Sequence, residues 1–413
     1  MRRIPAITLA AGLFAAAVPD GAHWWQYVEA LANDQMQGRN TGSPEHLKAA
    51  QYVAAEFEKS GLKPAGEHGF IQTVKFKARK LVESGSSLEL IRDGKAERLA
   101  LGEDAIIGVR TDPADSVEGP LVFAGYGLTV PEMKYDDFAG LDLRGKIIVT
   151  IAGGPSDIPG PLKSHYQFVT ERARFLKQAG VAGVATIQNP RTADIPWSRV
   201  ALARFQEAMS LADPSLSDDA GLKIGVTINP DHAGKWFAGS GHDLKELLAL
   251  VDAGKPLPRF PLRPTLRAAV KVERRDLESQ NVVAARAGSD AALKSEYVVL
   301  SAHLDHVGVG EPINGDRIYN GAMDDASGVA SLLDIAAMLH EAKTQTRRSK
   351  EEEMAKQWLT NRYHAPSDDL NQPVDKKAAG QYNRLMMTLA EAVANNPQRP
   401  KWKTESFFRR FAQ

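Results

Sequence analysis

The stretch VVLSAHLDHVG, residues 298–308, decides the fold prediction, because an apolar run ends abruptly in ionisable side chains. Together with the residues before it, this run predicts a buried β-strand over residues 295–306. Ligands bind at the ends of strands in open α/β sheets. His303 and Asp305 are two positions apart, so in a strand their side chains point to the same side and can meet. The stretch therefore predicts an α/β protein with a site at a strand end, although a hydrogen-bonded histidine without function also fits it.

A second motif, NGAMDDASG at residues 320–328, places two adjacent carboxylates in a loop of small residues. The loop comes directly before a predicted helix over residues 328–342. Small residues let the backbone approach an ion closely, and a carboxylate can bridge two metal ions. An aspartate at a helix start is also a frequent N-cap, and both interpretations stay open for Asp325. Asp324 is the better ligand candidate.

A third motif, RYHAPSD at residues 362–368, contains His364. Pro366 disfavours a helical conformation at Ala365, so His364 is predicted to lie in a loop. The chain has no cysteine, so disulfides and thiolate ligands are excluded. Any metal site must use histidine nitrogen and carboxylate oxygen, a ligand set that suits catalytic zinc.

Taken together, the three motifs resemble the metal motifs of the M28 family of zinc aminopeptidases. MQGRNTGSPEHLKAAQYVAAEF (36–57) is similar to the N-terminal helices of that family. VFAGYGLTVPEMKYDDFAGLDLRGKIIV (122–149) is similar to the protease-associated domain that many members contain. The resemblance implies an α/β/α sandwich with a mixed sheet, an inserted small α/β domain, and the N-termini of peptides or proteins as substrates.

The resemblance also implies roles for individual residues. His303 and His364 would each bind one of two zinc ions, and Asp324 would bridge both ions. Asp305 would orient His303 and so serve the catalytic step. Water between the two ions would attack the first peptide bond of the substrate.

The resemblance is incomplete after the helix of the second motif. The family continues there with a buried strand, then a Gly-Glu-Glu motif that includes the general base, and later an aspartate that binds zinc. Here LHEAKTQTRRS (339–349) leads directly into KEEEMAKQWLTNRYHAPSDDL (350–370). The glutamates at 351–353 follow basic residues with no strand between, as is typical of a solvated helix face. We therefore predict an internal deletion near residues 349–350, an incomplete sheet and impaired activity.

The order of segments predicts an exported protein of three parts. Residues 1–17 have the charged start and apolar run of a secretory signal peptide, which predicts a periplasmic or secreted location. No later apolar run is long enough to span a bilayer. We predict a peptidase domain over residues 23–105 and 251–413, with a protease-associated domain inserted at 106–250.

The balance of positive and negative residues bears on which kinds of partner the protein can bind. The 413 residues include 51 Lys and Arg and 51 Asp and Glu, so the net charge is zero and does not support a nucleic-acid partner. The leading hypothesis is an exported zinc metallo-aminopeptidase that is impaired in this chain. A non-catalytic binding or scaffold protein of the same fold is the alternative, and a carboxypeptidase or other amidohydrolase with similar site geometry also stays open. The sequence does not indicate an oligomeric state.

Overall fold

The computed structural model describes residues 21–216, 221–288, 295–341, 358–396, 400–404, 406, 408 and 409. The predicted signal peptide and the predicted deletion lie outside these residues. Among the helices that are described, none is both long and apolar enough to cross a membrane.

The part of the chain that the structure describes contains nine α-helices. They are α1 (Ala22–Leu31), α2 (Pro44–Lys59), α3 (Gly160–Gln167), α4 (Val169–Ala179), α5 (Trp197–Val200), α6 (Gly234–Phe237), α7 (Leu244–Asp252), α8 (Ser327–Glu341) and α9 (Lys376–Ala394). At the start of α2, the Ser43 hydroxyl accepts a hydrogen bond from the His46 amide at 3.0 Å, and Pro44 occupies the first turn. Asp375 caps α9 in the same way, by accepting from the Ala378 amide at 2.9 Å.

The described strands lie between residues 63 and 319. They are β1 (Lys63–Pro64), β2 (Ile71–Leu81), β3 (Ser87–Arg92), β4 (Lys95–Arg98), β5 (Ala105–Gly108), β6 (Ser116–Ala124), β7 (Thr129–Val130), β8 (Tyr135–Asp136), β9 (Ile147–Ile151), β10 (Gly183–Ile187), β11 (Ala208–Leu211), β12 (Ile224–Ile228), β13 (Arg259–Ala269), β14 (Val272–Val282), β15 (Ala284–Ala285), β16 (Gly308–Ile313) and β17 (Asp316–Tyr319).

An eight-stranded mixed sheet has the strand order β4-β3-β13-β6-β9-β10-β12-β5. The strands β6, β9, β10 and β12 run parallel, and the outer strands pair antiparallel. Every residue of β9 is buried, as expected for a parallel strand that is covered on both faces. The predicted α/β class with a mixed sheet is confirmed. The sheet takes strands from both sides of the predicted 106–250 insertion, and the domain limits stay a prediction.

The helices α1, α2, α8 and α9 pack together around a second apolar core, whose buried members include Trp24, Val28 and Leu333. The Trp24 indole donates hydrogen bonds to the Ser327 carbonyl at 3.0 Å and to the Ser331 hydroxyl at 3.1 Å, which ties α1 to the start of α8. A three-stranded sheet of β11, β2 and β14 accompanies these helices. This second core carries the loops in which the predicted metal motifs lie.

The predicted buried strand over residues 295–306 is wrong. Residues 296–305 form no ladder with any described strand, and His306 makes only an isolated bridge to Asn40. Tyr297 and Val299 are each 79% exposed. A strand needs a neighbour for its backbone N–H and C=O groups, so an apolar run alone does not make one. In the described part of the chain no strand follows β17, and no described strand pairs with this run.

Candidate metal centre

The Asp324 carboxylate brings the three predicted motifs together. Its Oδ1 lies 3.0 Å from His303 Nε2, and its Oδ2 lies 3.3 Å from His364 Nε2. The two imidazoles therefore approach different oxygens of one carboxylate. These are the three residues that the sequence proposed as metal ligands, and their assignment as ligands stays a prediction.

Asp305 contacts the other ring nitrogen of His303. The Nδ1 atom lies 3.5 Å from the Asp305 carboxylate and 3.0 Å from its backbone oxygen. The pKa of His303 is raised to about 10, mostly by the hydrogen bond with Asp305 and next by the one with Asp324. Burial alone would raise the pKa of Asp305, but hydrogen bonds from His303 and from the Thr41 hydroxyl at 2.6 Å outweigh it and lower that pKa to about 2. Asp305 is thus an anion placed beside the ring that it is predicted to orient.

The two adjacent aspartates have opposite environments. Burial tends to raise the pKa of Asp324, but its contacts with His303 and His364 hold it well below its usual range. For Asp325, burial prevails and the pKa is raised. Asp325 accepts hydrogen bonds from the Gly328 amide at 3.0 Å and from the His303 amide at 3.2 Å. The capping interpretation therefore fits Asp325, while Asp324 is the carboxylate that faces the histidines.

Two glycines allow this loop to pack closely. A Cβ atom at Gly321 would lie 2.4 Å from Cγ of His306, and Gly321 has a φ of +61°, which favours glycine. A Cβ atom at Gly328 would lie 2.3 Å from Oδ1 of Asp325. Larger residues at these positions would displace the side chains around Asp324.

The family model of peptidase family M28 matches residues 281–350, which include His303, Asp305 and Asp324. We refer to residues 281–350, which are similar to peptidase family M28, as the M28 segment. The resemblance inferred from the motifs is confirmed over this M28 segment, and His364 lies beyond it.

Solved structures give a weaker likeness over more of the chain. An aminopeptidase from Aneurinibacillus sp. strain AM-1 is 21% identical, with 79% of this chain and 60% of that chain covered at a TM-score of 0.41. A zinc aminopeptidase from Bacillus subtilis is 17% identical, with 80% and 60% covered at a TM-score of 0.37. This chain therefore spans 60% of the length of each of these structures. A search of curated proteins found no match.

Arg39 holds the two loops of the M28 segment together, and the sequence analysis did not single it out. Its side chain is fully buried, with Nε donating to the Leu304 carbonyl at 2.9 Å. Nη1 donates to Asn320 O at 2.8 Å and to Leu31 O, and Nη2 donates to Gly321 O at 2.9 Å. Burial lowers the pKa of Arg39 to about 10, so the guanidinium stays charged at neutral pH. No local pattern predicts such a role, because three of its four acceptors are distant in the sequence.

Asp368 joins the His364 loop to the M28 segment. Its buried carboxylate accepts hydrogen bonds from the Met323 amide at 3.0 Å and the Asp324 amide at 3.1 Å. The Gln372 side chain donates to it at 2.8 Å. Burial raises the pKa of Asp368 although these donors oppose the shift. The sequence analysis assigned no role to Asp368, although it is part of the third motif. Its contacts with the Met323 and Asp324 amides explain why this motif lies beside Asp324.

His306 is a further buried neighbour of Asp324. Its Nδ1 lies 3.6 Å from Asp324 Oδ2, and its ring centroid lies 5.8 Å from that of His364. Burial lowers the pKa of His306 to about 4, so the ring is neutral at pH 7. The sequence analysis left His306 without a role, although it follows Asp305 directly.

The described side chains around Asp324 are of the types that bind zinc, but they are too few to give each ion its usual number of ligands. With zinc–ligand bonds of about 2.0–2.2 Å and tetrahedral angles, two ligand atoms lie roughly 3.3 Å apart. The Asp324 oxygens are 3.0 Å from His303 and 3.3 Å from His364, close to that separation. Within the described residues, however, no three His, Asp or Glu side chains are grouped to hold one ion. Catalytic zinc usually has three protein ligands, so each pair is one ligand short.

Proposed function

We propose that this chain is an exported, M28-like zinc metallo-aminopeptidase that hydrolyses N-terminal peptide bonds with two zinc ions, and that its activity is impaired. The observation that carries the proposal is the Asp324 carboxylate, whose two oxygens each face a different histidine. A carboxylate between two imidazoles has the donor types and the spacing for a pair of ions. The M28 segment supports peptide-bond hydrolysis as the reaction class.

The chain's own residues prepare the site. Asp305 contacts Nδ1 of His303, which directs Nε2 towards Asp324. With its pKa raised to about 10, His303 is protonated at neutral pH, so zinc has to displace a proton to bind there. When bound, zinc would polarise the substrate carbonyl and lower the pKa of water.

Impairment follows from the missing parts of the family pattern. Each histidine shares Asp324 and has no third ligand among the described residues. The family's Gly-Glu-Glu motif, which supplies the general base, is not present in the sequence. Loss of a general base typically lowers the rate by about 10²- to 10⁴-fold. We therefore expect weak zinc binding and little peptidase activity.

Zinc binding by the purified full chain, measured by equilibrium dialysis with metal analysis, tests the proposal. We expect His303→Ala to weaken one site, and Asp324→Asn to weaken both because the bridging carboxylate is lost. His68→Ala, which removes an exposed histidine far from Asp324 in the sequence, is the matched control and should bind as the unmodified chain does. Equal binding by Asp324→Asn and the unmodified chain would overturn the proposal.

The rate at which the same samples hydrolyse a leucine aminoacyl reporter distinguishes an impaired peptidase from a fully active one. Two tightly bound zinc ions with robust hydrolysis would contradict impairment and would mean that other residues replace the missing ligands. No zinc binding by a folded chain, together with a specific partner protein, would favour the non-catalytic scaffold instead.

A further inference from the structure

Arg199 lies within the predicted inserted domain and contacts the loop that carries His364. Its Nη1 donates a hydrogen bond to the Tyr363 carbonyl at 2.8 Å, and its Nη2 donates to the Thr360 carbonyl at 2.9 Å. The planar guanidinium is suited to such a pair of acceptors, because its donors are fixed in a fork. These two bonds join segments that are far apart in the chain.

The helix that contains Arg199 is itself held in place by a contact with the eight-stranded sheet region. It belongs to the short helix α5, in which the Trp197 indole donates to the Gly102 carbonyl at 2.9 Å. Gly102 lies three residues before the start of β5, an edge strand of the eight-stranded sheet. Arg199 is half-buried, and burial lowers its pKa from the usual value. The hydrogen bond to Tyr363 is partly shielded from water, whereas the one to Thr360 is exposed.

The segment that Arg199 contacts leads directly to Asp324. The Tyr363 ring stacks on the His364 imidazole, with centroids 3.9 Å apart and planes at 19°. His364 has a φ of +51°, a left-handed conformation that a non-glycine residue adopts only when its surroundings hold it. Asp368 anchors the loop after His364, and Arg199 anchors it before His364.

We propose that Arg199 is a positioning residue, by which the inserted domain holds the His364 loop so that the imidazole faces Asp324. Its relevance to zinc rests on the proposed function, whereas the anchoring itself needs no metal. The inserted domain would then be a structural part of the metal centre.

Hydrogen–deuterium exchange of the full chain without metal tests the anchoring. The amides of Tyr363, Ala365 and Asp368 are hydrogen-bonded within the loop, so they report its opening. We expect Arg199→Ala to speed their exchange roughly tenfold, because a hydrogen bond from a charged donor is lost. Exchange in α2 and β9 should not change. Arg199→Lys should give an intermediate rate, since an ammonium lacks the planar fork.

Arg191→Ala is the matched control. It removes an arginine from the same part of the chain, where Arg191 pairs with Asp252 at 3.0 Å. Its loop exchange should equal that of the unmodified chain. Equal loop exchange in Arg199→Ala and Arg191→Ala would overturn the proposal, as would a rise in Arg199→Ala that spreads to α2 and β9.

Zinc titration of the same variants links the anchor to the metal centre. We expect Arg199→Ala to weaken zinc binding in the same direction as His364→Ala. Faster loop exchange with unchanged zinc affinity would overturn the positioning role while leaving the proposed function intact. If the unmodified chain binds no zinc, the proposed function fails, and the exchange measurement still decides whether Arg199 holds the loop.

Discussion

At the scale of single residues, the candidate metal centre depends on groups that do not themselves face a metal. Arg39 donates to the carbonyls of Leu304, Asn320 and Gly321, and so it fixes both loops of the M28 segment. Buried carbonyl groups without a partner cost free energy, so one arginine has a large effect.

Arg39→Met should lower the free energy of unfolding by about 3–5 kcal/mol, since it leaves several buried carbonyls unpaired. The measurement is urea unfolding followed by circular dichroism. Arg98→Met, at an exposed position on β4, is the control and should change stability little. The same unfolding midpoint for both variants would show that the Arg39 bonds contribute nothing.

Gly321→Ala tests the close packing beside His306. The new methyl group meets both an unfavourable φ and the imidazole 2.4 Å away. Gly69→Ala is a matched control, because Gly69 has a φ of +69° and no neighbour within 4 Å of the added atom. We expect Gly321→Ala to lose about 1–3 kcal/mol more than the control in urea unfolding. Equal losses would mean that only the backbone conformation matters.

At the scale of elements, helices formed where local signals were strong, and the decisive strand did not form. The helices α2 and α9 have capping side chains within three residues of their starts, so their boundaries follow from nearby residues. The run at residues 296–301 has the composition of a strand but is paired with no strand among the described residues. Strand formation depends on distant parts of the chain, and no described strand pairs with this run.

The exposed run should make the protein prone to association, because an exposed apolar segment can pair with another chain. We expect the double variant Tyr297→Thr/Val299→Lys to aggregate less, as measured by light scattering during storage, with no loss of thermal stability. Val309→Lys, at an exposed position within the paired strand β16, is the control. Equal aggregation of both variants would show that the run is not the cause.

At the scale of the whole molecule, stability should depend on pH through the buried carboxylate of Asp137, which directly follows β8. The buried Asp137 accepts hydrogen bonds from the Tyr126 and Leu128 amides at 3.0 and 3.1 Å, and from the Tyr135 hydroxyl at 2.7 Å. Burial raises the pKa of Asp137 to about 6 in spite of these donors. The folded chain therefore holds this proton more strongly than the unfolded chain does.

The contribution of Asp137 is fully present below about pH 4 and is lost as the pH rises through about 6. Asp137→Asn, which stays neutral, should gain roughly 3 kcal/mol relative to the unmodified chain between pH 4 and pH 8, by the free energy of two pKa units. Unfolding in urea at several pH values measures this difference. Asp157→Asn, at an exposed position, is the control, and a difference that does not vary with pH would refute the prediction.

The fold class and the candidate site residues could be predicted from short stretches of the sequence. The α/β class and the similarity of residues 281–350 to the M28 family depend on patterns of residues that are neighbours along the chain. His303, Asp324 and His364 were proposed from three separate motifs, because each motif has a recognisable local pattern.

The convergence of those motifs is a property of the folded chain alone. Asp324 meets both histidines because Arg39 and Asp368 bind loops that are far apart in the sequence. Residues 296–301 are likewise exposed although their composition predicts burial, and no described strand pairs with them. Capping and helical periodicity act over a few residues, whereas strand pairing and buried polar networks need partners that only folding brings near.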